Sequence, residues 1–252
     1  INIAKSFGFK IEPMNINDSG ISWTALEDGV TLVQPLASLK GLGEKAVEQI
    51  MNHRPFNSIE EFLFDKEISY SKLNKKVVDV LVRSQALNCL MDERFSGLKH
   101  FWSAVALDRP RKLRNLQDNI KTYQPEGDFT EEEKIEFLTD LTGVFPIRMV
   151  ADEALLRKLE EKFIPPLAEY DPELAVSWFI PRKITKKKTK NGKDFWVIDA
   201  IDITSKITKI RCWGIKKDDQ IFINRPYMAR LDYNEQWGFS TRSVRRNFRL
   251  VG

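Results

Sequence analysis

The chain has 252 residues, of which 42 % are hydrophobic, enough to bury the cores of one to three domains. No apolar run approaches the ~20 residues of a membrane span, so we expect a soluble protein. Two Cys and two His are too few for a disulfide framework or a zinc site, so we expect no metal and a reducing cytoplasm. The net charge is +11 in residues 181–252 and −7 in residues 1–180. So basic a C-terminal third indicates a polyanionic partner, usually nucleic acid, with a merely soluble basic face as the alternative.

The N-terminal part of the sequence has mainly helical periodicity. Residues 1–30 are predicted to form a short helix and then an extended piece broken at Pro13. From Thr31 to about Leu107 the apolar period is helical: "TLVQPLASL" precedes a glycine turn, and "EKAVEQIMNHR" follows it. Ser58 and Glu61 predict a capping box, and two further amphipathic helices follow in "LNKKVVDVLVRSQAL" and "ERFSGLKHFWSAVAL". The pattern predicts an all-α domain over residues 31–107.

Residues 108–173 have the composition of an exposed connector. Arg and Lys come first, followed by Pro, Gly and a run of acids in "KTYQPEGDFTEEEK". Helical periodicity returns in "EEEKIEFLTDLTGVFP" and "DEALLRKLEEKF" before Pro165 and Pro166 end it.

From residue 174 to 252 the period changes to that of strands. Five strands are predicted, separated by turn signals that include Asn191-Gly192 and Ser205. Five strands in ~75 residues fit a small Greek-key barrel of the OB type, whereas a β-sandwich normally needs more. The predicted fold class is therefore a multi-domain α+β chain: an all-α helix-hairpin-helix domain followed by a five-stranded OB-type β-barrel.

The segment Lys40-Gly41-Leu42-Gly43 with Lys45 is the first candidate binding site. Both glycines can adopt positive φ and expose their amides, and the free N–H groups of the next helix point at the same place. Such a turn binds an oxygen anion, and the lysines add charge beside it. The pattern is the helix-hairpin-helix signature, which holds nucleic-acid backbone phosphates without reading bases. A tight αα turn with a C-cap glycine is the alternative.

A second turn of this kind is predicted at Asn74, followed by Lys75 and Lys76. Asn stands where a tandem motif would have glycine, and Asn tolerates the left-handed conformation. The turn either binds a second duplex phosphate or has only a structural role.

The third predicted strand carries the most informative pattern of the barrel. Alternation places Lys209, Arg211 and Trp213 on one face, and Ile210 and Cys212 on the other. Two cations and an indole on one face suit phosphate contact and base stacking along a single strand.

Neighbouring strands extend this predicted face. Trp196 or Phe195 could supply a second stacking surface, each with a place in the core as its alternative. A hairpin with six lysines at 183–193 is predicted to clamp a backbone, and Arg242, Arg245 and Arg246 extend the patch on the last strand. The predicted single-strand site comprises Lys186, Lys187, Lys188, Lys190, Trp196, Lys209, Arg211, Trp213 and Arg242.

The order of these parts resembles the C-terminal portion of a known family. The runs "LGEKAVEQIMNHRPFNSIEEFL", "LNKKVVDVLVRSQAL" and "EEEKIEFLTDLTGVFPI" resemble the bacterial replicative DNA polymerase III alpha subunit, family C, as does the earlier "FGFKIEPMNINDSGISW". The likeness extends from about residue 5 to the end. Gln85 replaces a Gly usual in the family, and Val144-Phe145 replaces the His of a Gly-His-Pro step, as in a phage or otherwise remote relative.

The resemblance implies a division of labour. Residues 1–30 would end an upstream, fingers-like region, and the family's palm with its metal-binding aspartates would precede this stretch, so no catalytic residue and no cofactor is expected on this chain; Mg²⁺ would belong to the palm. The family's connector carries a short peptide that binds the sliding clamp, and the only candidate is "YQPEGDF", with Gln124, Asp128 and Phe129. A plain acidic loop is the alternative.

The functional prediction is the DNA-holding part of a replicative polymerase. The helical domain would hold product duplex by its backbone, and the barrel would hold single-stranded template, with the remainder of the polymerase as partner. The rival readings are a stand-alone accessory protein with the same two DNA-binding modules, and a platform whose barrel binds peptide.

Overall fold

A computed structural model of the chain describes residues 8–251. The chain divides into two compact units, one up to Phe145 and the other from Pro146 onward, called here the helical unit and the sheet unit. The short helix predicted at the very N-terminus lies outside the described residues. Within residues 8–251, no helix is both long and apolar enough to cross a bilayer.

The helical unit begins with a small sheet of three strands, β1 (Lys10–Glu12), β2 (Thr24–Ala25) and β3 (Thr31–Val33). β3 lies in the middle, parallel to β1 and antiparallel to β2. The helix predicted for "TLVQPLASL" is therefore wrong, since its first residues form β3 and only a 3₁₀ turn at Leu36–Ser38 is helical. Thr31 and Val33 are β-branched, and Pro35 cannot continue a ladder or a helix interior.

The strands are followed by six helices that enclose one apolar core. The side chains of Phe62, Leu81 and Phe101 are among the largest that this core buries completely. The helices are α1 (Glu44–His53), α2 (Ile59–Phe64), α3 (Lys75–Arg83), α4 (Leu98–Trp102, continued by a π-helical turn at Ser103–Leu107), α5 (Leu113–Thr122) and α6 (Glu131–Thr142).

Helix starts follow the capping residues. The Ser58 hydroxyl accepts from the Glu61 amide at 3.2 Å, as predicted, but the Glu61 carboxylate accepts from the Asn57 amide at 2.6 Å rather than from Ser58. A reciprocal capping box forms at α6, between Thr130 and Glu133.

The segment predicted as a connector, residues 108–173, is shared by both units. Leu116 of α5 and Leu141 of α6 are buried in the core of the helical unit, and α7 (Glu153–Glu161) belongs to the sheet unit. The N-terminal segment is likewise integrated: Met14 and Ile16 lie in the helical core, and the Ile16 amide donates to the Ala86 carbonyl at 2.9 Å. The chain therefore divides between 145 and 146, where no Gly- or Ser-rich linker marks the boundary.

The sheet unit contains a strongly curled sheet of seven strands, with the order β10-β7-β4-β5-β6-β9-β8. The strand count differs from the predicted five because each of the last two predicted strands is interrupted, one at Leu231 and the other by a helical turn, α8 (Val244–Asn247). The strands are β4 (Val176–Lys188), β5 (Asp194–Ile201), β6 (Thr208–Cys212), β7 (Tyr227–Arg230), β8 (Asp232–Asn234), β9 (Gly238–Thr241) and β10 (Phe248–Leu250).

The curl follows from the long strand β4. Its first part pairs with β7 and its second part with β5, with a register shift between Pro181 and Lys183. β7 and β8 are separated by Leu231 alone, and β8 pairs with β9, which lies parallel to β6. The path β4-β5-β6-β9-β8 is therefore connected through Leu231 to β7, which pairs with β4 again.

Candidate nucleic-acid interface

Gly41 and Gly43 have different conformations in the first candidate turn. Gly41 has φ +93°, so its backbone requires glycine, whereas Gly43 is extended at φ −79° and ψ 150°, which corrects the expectation that both could use positive φ. A Cβ added at Gly43 would meet no atom within 4 Å. Gly43 is therefore not needed for the fold of the turn, and its open surroundings leave room for a ligand.

The N-terminus of α1 is open. Gly43 is the N-cap residue and has no side chain to accept a hydrogen bond from the first turn. Within the described part of the chain, the amides of Gly43, Glu44 and Lys45 find no acceptor, while the Ala46 amide donates to the Gly43 carbonyl at 2.9 Å. The exposed amides and the positive end of the helix dipole form a site that suits an oxygen anion.

Three lysines surround this turn. Lys40, Lys45 and Lys76 are exposed, and the Lys76 Cε lies 3.5 Å from the position of a Cβ added at Gly41. They outnumber the one carboxylate of the turn, that of Glu44. Leu42, also predicted as a contact residue, is buried, so it anchors the turn in the core instead of facing a ligand.

The second candidate turn is closed by its own cap. Asn74 has φ −70°, not the left-handed conformation considered for it, and its Oδ1 accepts from the amides of Lys76 at 3.0 Å and Val77 at 3.2 Å. The donors that a phosphate would use at α3 are therefore occupied. Lys75 and Lys76 remain exposed and add charge.

The outward face of β5 and β6 has the alternation predicted from the sequence. Ile210 and Cys212 are fully buried, whereas Lys209, Arg211 and Trp213 alternate with them and retain access to solvent. Burial raises the pKa of the Cys212 thiol to about 12, as desolvation of a thiolate in an apolar core requires.

Cross-strand register identifies the aromatic neighbour of Trp213. Trp196 pairs with Cys212 and is buried, with 8 % exposed, so the prediction of Trp196 as a stacking residue is corrected: it is a core residue. Phe195 lies on the opposite face, and its ring stacks on Trp213 with a centroid distance of 4.5 Å and an interplanar angle of 19°. The stacked pair Phe195–Trp213 is the aromatic feature of the outward face.

The lysine-rich hairpin forms where it was predicted, between β4 and β5, with Gly192 at φ +76°. Lys186 lies over the Trp196 ring at 5.6 Å, and Lys188 pairs weakly with Asp194 at 3.9 Å. Lys187 pairs in register with Phe195 and so shares the outward face. Four lysines of the predicted site are exposed here: Lys186, Lys187, Lys188 and Lys190.

The arginines near the C-terminus lie at the end of the same sheet. Arg242 directly follows β9 and is exposed. Arg245 and Arg246 are part of α8 and not of the last strand, which corrects their predicted placement on a strand face.

Comparison with known proteins agrees with the geometry of the helical unit. Residues 8–97 match the family described as helix-hairpin-helix motif. A DNA polymerase III subunit alpha of Aquifex aeolicus is 28 % identical over 225 residues, 86 % of this chain and 18 % of that protein. The one of Pseudomonas aeruginosa is 30 % identical over 119 residues, 46 % of this chain and 10 % of that protein. An error-prone DNA polymerase of Corynebacterium efficiens is 32 % identical over 115 residues, covering 45 % and 10 %.

This chain is similar to part of DNA polymerase III alpha subunits. It spans less than a fifth of the length of these curated relatives. What the relatives do as whole proteins therefore concerns many residues outside this chain.

The segment compared with a clamp-binding peptide is held against the rest of the helical unit. Gln124 Nε2 donates to the Ile120 carbonyl at 2.8 Å, and the Asp128 carboxylate accepts from the Lys99 amide at 2.7 Å. The Phe129 ring packs edge-on against Trp102 and Phe137, at 5.9 and 5.0 Å. These contacts give the three predicted residues a structural role within the unit.

Two features of the chain escaped prediction from sequence. The Asn74 side chain closes the start of α3, although an Asn directly before a helix is a capping signal that the sequence contains. The exposed Trp237, in the hairpin between β8 and β9, was the first residue of the fifth predicted strand and was not predicted to contact a ligand.

Proposed function

We propose that this chain is the DNA-holding part of a family C replicative polymerase, with product duplex bound by its backbone at the Gly41–Gly43 turn. Duplex binding by such a turn is independent of sequence because it involves phosphates and not base edges. The residues proposed for this contact are Lys40, Gly41, Gly43, Lys45, Lys75 and Lys76, with Asn74 and Leu42 holding the turns in place.

The observation that carries the proposal is the unsatisfied start of α1. A helix N-terminus ordinarily acquires a Ser, Thr, Asp or Asn cap, and α3 and α6 have one. Gly43 provides no such cap, although it lies at an exposed site with three lysines around it. A phosphate oxygen is the acceptor that fits both the free amides and the charge.

We further propose that the sheet unit is an OB barrel that binds single-stranded template. Support comes from the order β4-β5-β6-β9, the near-continuous β7 and β8 that pair with β4 and β9, and the parallel pair β6–β9. The Phe195–Trp213 pair, flanked by Lys187, Lys209 and Arg211, supplies stacking and charge on the face that such barrels use.

Catalysis is proposed to belong to a palm elsewhere in the polymerase, which would bind Mg²⁺, and the setting would be the cytoplasm. A stand-alone DNA-binding accessory protein is the second candidate. The first is favoured because the relatives compared above are polymerases. Binding of a sliding clamp through residues 124–129 would require Phe129 to leave its contacts with Trp102 and Phe137.

The test replaces Gly43 by Asn, the residue that caps α3. The new side chain occupies the Lys45 and Ala46 amides as Asn74 occupies those of α3, so the melting temperature should not fall. Affinity for a mixed-sequence duplex, measured by fluorescence anisotropy at fixed salt, should fall about tenfold, since a charge-assisted hydrogen bond is lost. Binding by wild type should also weaken steeply with salt through counterion release.

Gly29→Asn is the matched control. Gly29 has φ +69°, which Asn tolerates, and a Cβ there meets no atom within 4 Å, so this variant should bind duplex as wild type does. Wild-type duplex affinity in a folded Gly43→Asn protein would remove the turn from the interface.

A further inference from the structure

The β8–β9 hairpin presents a large aromatic side chain to solvent. Trp237 is 60 % exposed at the hairpin tip. The tip is ordered by its own hydrogen bonds: the Asn234 Oδ1 accepts from the amides of Gln236 at 2.9 Å and Trp237 at 3.1 Å. Gly238, at φ +70°, completes the turn. The backbone that carries the indole is therefore preorganised, so little backbone entropy is lost when the tip binds a ligand.

An arginine joins this tip to the outward face of β6. Arg211 Nη1 donates to the Trp237 carbonyl. The parallel register pairs Arg211 with Ser240, which places Gly238 level with Lys209 on the same face. The guanidinium has five N–H donors, so its bond to the carbonyl leaves others that can contact a phosphate.

The outward face thus has aromatic groups at two places. The Phe195–Trp213 pair lies at one end of β6, and the exposed Trp237 directly precedes Gly238, which is level with Lys209 near the other end. Four residues separate Trp213 from Lys209, which is ~13 Å along a strand at ~3.3 Å per residue. A single strand spans that length with a few nucleotides, since its spacing is not fixed at the ~3.4 Å of a duplex strand.

We propose that Trp237 is a second stacking platform of the single-strand site, taking an unpaired base a few nucleotides from the base on Phe195–Trp213. Arg211 bridges the two platforms by contacting the intervening phosphates. This inference rests on the proposed single-strand function of the sheet unit. It predicts that Trp237 contributes to affinity only for single strands long enough to reach both platforms.

The test compares dT3 with dT12 as ligands of the full chain, measured by anisotropy at fixed salt. Trp237→Ala should lower dT12 affinity roughly 5- to 100-fold, the range for one stacked base, and change dT3 affinity less than about twofold, since dT3 can use the other platform. Trp237→Phe, which keeps a ring, should recover most of the dT12 affinity. Phe222→Ala, at another exposed aromatic residue of the unit, is the matched control and should bind both ligands as wild type does.

The outcomes separate the two proposals. Unchanged dT12 affinity in Trp237→Ala, with a large loss in Trp213→Ala, overturns the second platform and leaves the single-strand function standing. An equal loss of dT3 and dT12 affinity in Trp237→Ala also overturns it. If neither variant loses affinity, the single-strand function itself fails. Trp237→Phe changes the same site less. It therefore still tests the second platform if the Ala variant is unstable.

Discussion

Neighbouring residues of one motif have distinct physical roles. Gly41 is required by its backbone conformation, at φ +93°. Gly43 is free of that constraint, and its lack of a side chain leaves the amides of α1 open. A substitution at Gly41 would disturb the fold and binding together, whereas one at Gly43 separates them.

At the same scale, Phe129 decides between a structural and a clamp-binding role for its segment. Phe129→Ala should lower the free energy of unfolding by about 1–3 kcal/mol, because a half-buried ring loses its contacts with Trp102 and Phe137. Urea denaturation measures the change. Leu113→Ala, at a side chain 49 % exposed, is the control and should stay within about 0.5 kcal/mol. Unchanged stability together with lost binding of a purified clamp would favour the clamp role.

The sequence could predict which β6 residues face outward, because alternation alone sets that pattern. It could not choose between Phe195 and Trp196, because the choice depends on the register between two strands. The pairing of Trp196 with Cys212 settles it, since cross-strand partners share a face. Trp237 was missed because it stands at the start of the fifth predicted strand, where alternation does not decide whether a Trp faces the core or the solvent.

Among the elements, the turns before α1 and α3 differ in how the free backbone amides of the following helix are treated. α3 is capped by the Asn74 side chain, whereas α1 has no side-chain cap. Helix positions were predictable from apolar period and caps, as at α2 and α6. The extended segment before the first turn was not, because Thr31–Val33 acquires its conformation from pairing with β1 and β2.

The closed cap of α3 has a measurable consequence. Asn74→Ala should cost about 1 kcal/mol of stability, whereas Asn74→Gly should cost only a few tenths. Neither should weaken duplex binding, because the amides at this turn are already occupied in the wild-type protein. Thermal unfolding and anisotropy on the same samples measure both quantities. A loss of duplex affinity of fivefold or more at unchanged stability would place the second turn in contact with DNA.

For the whole molecule, the sequence patterns predicted a helical part followed by a strand part, and the residue counts showed the uneven charge. They did not predict the boundary between the two units. The predicted connector looked polar because α5 and α6 expose acidic and basic faces, while a few apolar residues, Leu116 and Leu141 among them, bind these helices to the core. Such sparse anchors are hard to recognise in a charged sequence. The net charge of +11 in the C-terminal third matches the exposed lysines and arginines of the sheet unit.

The central claim is that two separate surfaces hold two forms of DNA, and one binding matrix tests it directly. Wild type, Gly43→Asn and Trp213→Ala are each titrated against a mixed-sequence duplex and against dT12 at one salt concentration. We expect Gly43→Asn to lose about tenfold for duplex only, and Trp213→Ala to lose roughly 5- to 100-fold for dT12 only. Equal losses for both ligands in either folded variant, or no loss in both variants, would contradict the account.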